Sequence, residues 1–200
     1  MKKLVCLVLL FQCALSFAQP SKSAEKQKLE LTTSLFGEND LIQFQDLVGA
    51  PSYDGVSYFS VGLTYLRSIN SLLEWQTGLE YAHHKVQINP NVGPDVNAVS
   101  REEQLDLVVI PIGVRLNFLK YFFLDGGALL DLDLTSSGSV DSQSGVGINL
   151  GVGCSVPVVP RCSFVLKANA RAHALVPFSS EKYHERLLEN GVHLGLSYEL

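Results

Sequence analysis

The side chains with the most chemistry to offer are Glu74, Glu80, Arg115, Asp125, Asp131, Asp133, Lys167, Arg171 and His173, joined near the chain's end by His193 and Glu199. Each occupies one parity of an alternating segment whose other parity is apolar. Successive strand side chains point to opposite faces, so these groups share the polar side of a sheet. Gathered there, acids and bases either neutralise one another as a structural plug or line a gate or proton path. A buried charge without a partner costs several kcal/mol or shifts its pKa, so pairing is expected either way. A turn centred on Lys120 sets Arg115 opposite Asp125, and the acids of segments three and five against the bases of segments four and seven.

Other reactive types are sparser. His83-His84 has the look of a metal pair, but neighbouring strand residues face opposite ways and cannot hold one ion; the pair reads as rim polarity. His173 followed by Ser179 and Ser180 offers the base and hydroxyls of a lipid-modifying enzyme. A nucleophile needs its base within hydrogen-bond reach, and His173 lies on the polar parity with no tight His-x-Ser spacing, so no catalytic residue, metal ligand or cofactor is assigned. Cys154 and Cys162 share a parity. A hairpin centred on Val158 sets them opposite, at Cβ separations of ~4.5–5.5 Å, which opens a disulfide as the alternative to two free thiols.

The elements that must position these groups are short alternating segments. Apolar residues share a parity over 29–35, 59–65, 73–81, 108–118, 122–134, 146–155, 164–174 and 192–200. The last of these, Val-His-Leu-Gly-Leu-Ser-Tyr-Glu-Leu, ends the chain on an apolar strand that pairs best with the first, because an unpaired edge invites aggregation. Eight such segments of roughly 9–11 residues suit an all-β, eight-stranded antiparallel transmembrane β-barrel, an up-and-down meander over 28–200. A soluble eight-stranded barrel has the same count, but it turns its charged face outward, whereas here Gly and Ser crowd the polar face and suit a narrow interior.

Connections sort by length. Residues 37–56, 87–103, 135–144 and 177–187 are long; 68–71, 119–121 and 157–161 are short. Transmembrane barrels have short periplasmic turns and longer extracellular loops, so the long connections are expected outside. Phe118, Tyr121, Phe122, Phe164 and Tyr198 gather near the short turns, as an interfacial girdle does.

The start of the chain is of another kind. Lys2 and Lys3, the apolar run from Leu4 and the small-x-small site at Ser16-Phe17-Ala18 form a secretory signal peptide over 1–18, and a polar, flexible segment follows over 19–27. Gln12 before Cys13 is a poor fit to a lipoprotein site. Cleavage leaves Cys154 and Cys162 in an oxidising compartment, too few for a disulfide scaffold or zinc site. The net charge of −5 removes an electrostatic case for nucleic acid.

The run Leu107-Val108-Val109-Ile110-Pro111-Ile112-Gly113-Val114-Arg115-Leu116-Asn117-Phe118, followed by Phe122-Phe123-Leu124-Asp125-Gly126-Gly127-Ala128, resembles the small outer-membrane β-barrel domains of Bacteroidetes, the PorT-like group. His193, Gly195, Tyr198 and Leu200 are similar to the signal read by the outer-membrane barrel assembly machinery, with Leu200 where Phe is usual. The resemblance implies a bacterial outer-membrane location and this architecture, but no activity. The expected role is therefore a non-enzymatic integral barrel, structural or engaged in surface interaction through its extracellular loops, chiefly 37–56 and 87–103. Expected partners are outer-membrane lipid, the assembly machinery, and an extracellular ligand or secretion-system partner. A narrow pore for solute transport, a secretion-linked barrel, an outer-leaflet lipid-modifying enzyme and a periplasmic lipocalin-like binder are the alternatives.

Overall fold

In the computed structural model the described residues are 26–43, 52–90, 99–135, 140–179 and 185–200. The signal peptide, nearly all of segment 19–27, and Ser180 lie outside them. Eight strands form: β1 (Gln27–Gln43), β2 (Ser52–Ser68), β3 (Leu73–Asn89), β4 (Arg101–Phe118), β5 (Phe122–Asp133), β6 (Gly145–Val159), β7 (Cys162–Pro177) and β8 (Glu185–Glu199). They close in sequence order into an antiparallel barrel. The last strand seals the first, with Leu29 opposite Tyr198, Leu31 opposite Leu196 and Thr33 opposite Leu194.

The strands run longer than the apolar parity indicated. Residues 37–43 and 52–56 of one expected loop, and 87–89 and 101–103 of another, are strand. The reason is an inversion of polarity along the wall. On β3 the outward residues Trp75, Leu79 and Tyr81 give way to His83, Lys85 and Gln87, while the inward Glu74, Gln76 and Glu80 give way to Ala82, Val86 and Ile88. On β4 the inward residues change from Arg115 and Gly113 to Val109, Leu107 and Leu105, and the outward ones from Val108 to Asp106 and Glu102. Hydrocarbon favours apolar groups outside and polar groups inside; water favours the reverse. The switch marks the level at which the wall leaves the membrane.

Above that level the barrel has a conventional apolar core. Leu41, Val86, Ile88, Leu105, Leu107 and Leu187 pack together inside it, each no more than 5% exposed. Burial of each Leu or Ile side chain contributes about 1.5–3 kcal/mol. Val140, within the β5–β6 connection, joins this cluster, and the buried Gln143 donates to the carbonyl of Glu185 at 2.8 Å. Residues 140–143 thus fold inward over the outer mouth.

Below it, the outer surface is apolar: Leu63, Leu79, Ile112, Leu150 and Leu196 are 47–67% exposed. So large an exposed apolar surface needs a non-aqueous partner, and a bilayer supplies it. Aromatics border the band towards the short turns, where Tyr65 meets Trp75 edge-on and Phe118 stacks on Phe122.

The inner face of β6 is a column of glycines that makes room for β5. A Cβ on Gly151 would stand 2.4 Å from Asp125 Oδ1, and one on Gly153 would stand 2.5 Å from the Phe123 ring. Side chains of β5 lie flat against β6 in the space these glycines leave.

The β6–β7 hairpin corrects one expectation. Val159 pairs with Cys162, so the turn is Pro160-Arg161 rather than a turn centred on Val158. Pro at the second turn position and a φ of 69° at Arg161 are what a type II turn requires. A register shift between Pro157 and Val159 follows, and Cys154 pairs with Leu166. The two cysteines are free and are not cross-strand partners.

Candidate functional site

The lumen holds two layers of paired charge. In the layer nearer the short turns, Arg115 donates to both carboxylate oxygens of Glu30, at 2.7 and 2.9 Å. Asp125 lies 3.5 Å from Arg115 and 3.5 Å from Lys167. Lys28 pairs with Glu74 at 2.7 Å. The Arg115 guanidinium also sits 4.0 Å from the centre of the Phe123 ring, a cation–π contact.

The middle layer is centred on Arg171. It donates to Glu80 at 2.6 and 2.8 Å and lies 3.3 Å from Glu189. His173 bridges Asp131 at 3.0 Å and Glu189 at 3.5 Å. His84 faces Glu189 at 3.7 Å and stacks under Tyr58, whose hydroxyl meets His193. Bidentate Arg–carboxylate geometry with additional partners is what buried charges need to offset their desolvation.

Glu74, Glu80, Arg115, Asp125, Asp131, Lys167, Arg171 and His173 all point inward into the two layers, and Arg115 stands opposite Asp125. Asp133 differs. Its carboxylate accepts from the backbone N–H groups of Thr135 and Gln143, so it ties down a loop instead of joining the charge layers.

Four partners escaped the sequence reading. Lys28 and Glu30 sit on the polar parity of the first alternating segment, and that parity signals their place. Glu189 lies upstream of the 192–200 segment, on its inward parity continued. Tyr58 lies one residue before its segment. His84 overturns the rim reading of the histidine pair. It is fully buried in the middle layer, whereas His83 faces out and pairs with Asp106 at 2.7 Å. The opposite facing of the two was expected; what hid His84 is the polarity switch, which carries β3 well past Tyr81. Among the described residues no group of three His, Cys, Asp or Glu side chains is placed to hold a metal ion.

No family model matches the sequence, and no curated protein matches it. Solved structures do. The outer membrane protein AlkL, determined by solid-state NMR in DMPC bilayers, has a TM-score of 0.54 at 13% identity, over 91% of this chain and 95% of that one. The outer membrane protein OprG from Pseudomonas aeruginosa has a TM-score of 0.51 at 12% identity, over 88% of this chain and 96% of that one. The chain has the fold of an outer-membrane β-barrel. At these identities the likeness is one of fold, and the barrel's own lumen and surfaces must carry any functional argument.

Three features of this outer-membrane barrel bear on function. The two charge layers and the apolar cluster fill successive levels of the lumen. The glycine column of β6 brings that wall close to the acids of β5. Above the membrane the outward face carries Glu38, Asp40, Asp54 and Glu102, an acidic rim. There Tyr53 reaches inward to Glu185; burial, followed by the hydrogen bond to that carboxylate, pushes its phenol above the usual range.

Proposed function

We propose that this protein is a non-conducting, non-enzymatic barrel of the bacterial outer membrane, with a structural or surface-interaction role exercised through its extracellular rim. One observation carries the reading: Arg171 of β7 spans the lumen to Glu80 of β3, the strand four places round an eight-stranded ring. A cross-link through the centre of the barrel, with an apolar cluster stacked above it, supports a plugged lumen. Eight-stranded barrels have interiors just wide enough for side chains to fill.

The acidic rim fits an extracellular ligand or secretion-system partner better than it fits nucleic acid. A lipid-modifying activity lacks support, because His173 is held between Asp131 and Glu189 inside the lumen, away from the lipid face. We assign the chain to the PorT-like Bacteroidetes barrels on the Pro111-bearing strand and the Gly126-Gly127 strand that follows it. We also assign His193, Gly195, Tyr198 and Leu200 to recognition by the barrel assembly machinery. Loss of residues 198–200 is expected to remove the protein from the outer-membrane fraction.

Conductance in planar bilayers tests the central claim. The purified barrel is expected to give no steady single-channel current. Steady currents from the unaltered protein would overturn the plugged reading in favour of a narrow pore.

A further inference from the structure

The barrel wall is not uniformly laced. Backbone pairing between β1 and β2 runs from Gln27 opposite Arg67 to Thr33 opposite Val61. Above that rung β1 stays paired with β8 as far as Gln43, and β2 with β3 from Ser52, yet the described residues show no rung joining 34–43 to 52–60. Both strands change register near the split, β1 between Ser34 and Phe36 and β2 between Gly55 and Ser57. By contrast, the β4–β5 ladder is unbroken from Leu107 opposite Asp133 to Phe118 opposite Phe122.

Side chains stand in for the missing rungs. Ser34 Oγ accepts from the Ser60 N–H at 2.8 Å, and Thr33 Oγ1 donates to the Ser60 carbonyl at 3.0 Å. Higher up, two tyrosines of β2 step over β1 altogether and bond to β8: Tyr58 to His193 and Tyr53 to Glu185. Tyr58 can cross only because Gly37 and Gly191 lie beneath it. A Cβ on either would come within 2.5 or 2.9 Å of its ring or hydroxyl. At the outer mouth of the split a polar crevice of about 380 Å³ is lined by Glu38, Asp40, Asp54 and Asn190.

We propose that the β1–β2 seam above Thr33 and Val61 is the opening joint of the barrel wall, latched shut by Tyr58–His193 and Tyr53–Glu185. Backbone ladders distribute stability over many bonds, whereas a seam held by a few side-chain bonds opens at lower free energy than its neighbours. The joint starts at the upper edge of the apolar band, where Leu35, Phe36 and Phe59 are exposed, and from Glu38 and Asp54 upward water can solvate the freed backbone groups. Its opening uncovers the Tyr58 side of the middle charge layer from the acidic crevice, without disturbing the fully laced wall elsewhere. The joint is independent of the plugged-lumen reading, because a closed seam and a filled lumen coexist.

The test uses the full barrel in lipid nanodiscs, with Cys154 and Cys162 replaced by Ser. Ser60 is fully buried beside the last rung, so S60C is a reporter that reacts with a water-soluble maleimide only when the seam opens. Loss of one latching hydrogen bond by Y58F is expected to raise the labelling rate about ten-fold, and Y53F is expected to raise it as well. Y81F removes a hydroxyl bonded to Asp106 on the far side of β2 and is expected to leave the rate unchanged. Folding is checked by the fast-migrating band on unheated gels; where Y58F does not give it, Y53F carries the same comparison. Amide exchange in 34–43 and 52–60 is expected to rise in parallel, with β4 and β5 unaffected. Labelling that is unchanged by both latch variants, or that rises equally with Y81F, would overturn the proposal.

Discussion

Arg171 and Glu80 join opposite walls of the barrel through two N–H···O bonds of 2.6 and 2.8 Å, both side chains buried. This pair links β3 and β7 across the lumen and does not run through the wall. Removing Glu80 takes away the bidentate partner of Arg171 and leaves it only Glu189, at 3.3 Å. Glu80→Ala is expected to cost about 3–5 kcal/mol, read as a lower urea midpoint for unfolding from lipid vesicles. The double variant E80M/R171M is expected to lose less than E80A alone, because a packed apolar pair replaces the ion pair while Glu189 keeps His173 at 3.5 Å and His84 at 3.7 Å; a double variant worse than the single would contradict this account.

The polarity switch fixes where the membrane ends. Leu150 is 67% exposed in the middle of the apolar band, so Leu150→Arg is expected to cost about 2–4 kcal/mol, while Gln87→Arg, above the switch, is expected to cost about 0–1 kcal/mol. Folding titrations of the two variants side by side would show whether the boundary runs where the parity inverts.

The glycine column makes a sharper claim. A methyl group on Gly151 would meet Asp125 Oδ1 at 2.4 Å and push that carboxylate away from Arg115 and Lys167. Gly151→Ala is expected to destabilise by about 1–3 kcal/mol, as overpacking does. Gly126→Ala is the matched control. Its added carbon finds its nearest neighbour at 3.4 Å, and no measurable loss is expected.

The cysteines give the simplest check. With Cys154 opposite Leu166 and Cys162 opposite Val159, peptides carrying either residue should be alkylated fully after unfolding without reductant. Alkylation that appears only after reduction would show a bridge that this register does not allow.

Much of the fold is legible in the sequence because period-two alternation is a direct imprint of a wall with two unlike faces. Eight segments of one apolar parity, short connections alternating with long ones, and a last strand that needs a partner lead to a closed antiparallel barrel. The same parity puts Glu80, Arg115, Asp125, Asp131, Arg171 and His173 inside. What alternation cannot carry is which inward residue meets which. Arg115 finds its cross-strand neighbour Asp125 at 3.5 Å, yet its closest acid is Glu30 of β1, which approaches from across the lumen. Pairings through the interior depend on how far the strands stagger as the ring closes, and no local pattern encodes that stagger.

Alternation by itself therefore determined the architecture and the inward set. Only the closed ring decided the partners, the place of His84 and Glu189 in the middle layer, and the reach of β3 and β4 above the membrane. The physical reason is that one parity serves two solvents: the apolar face points to lipid below and to the barrel's own core above. A reading tied to a single apolar face stops at Tyr81, whereas the strand goes on to Asn89. The cysteines failed for a related cause, since parity fixes a face and the Pro160-Arg161 turn fixes the register.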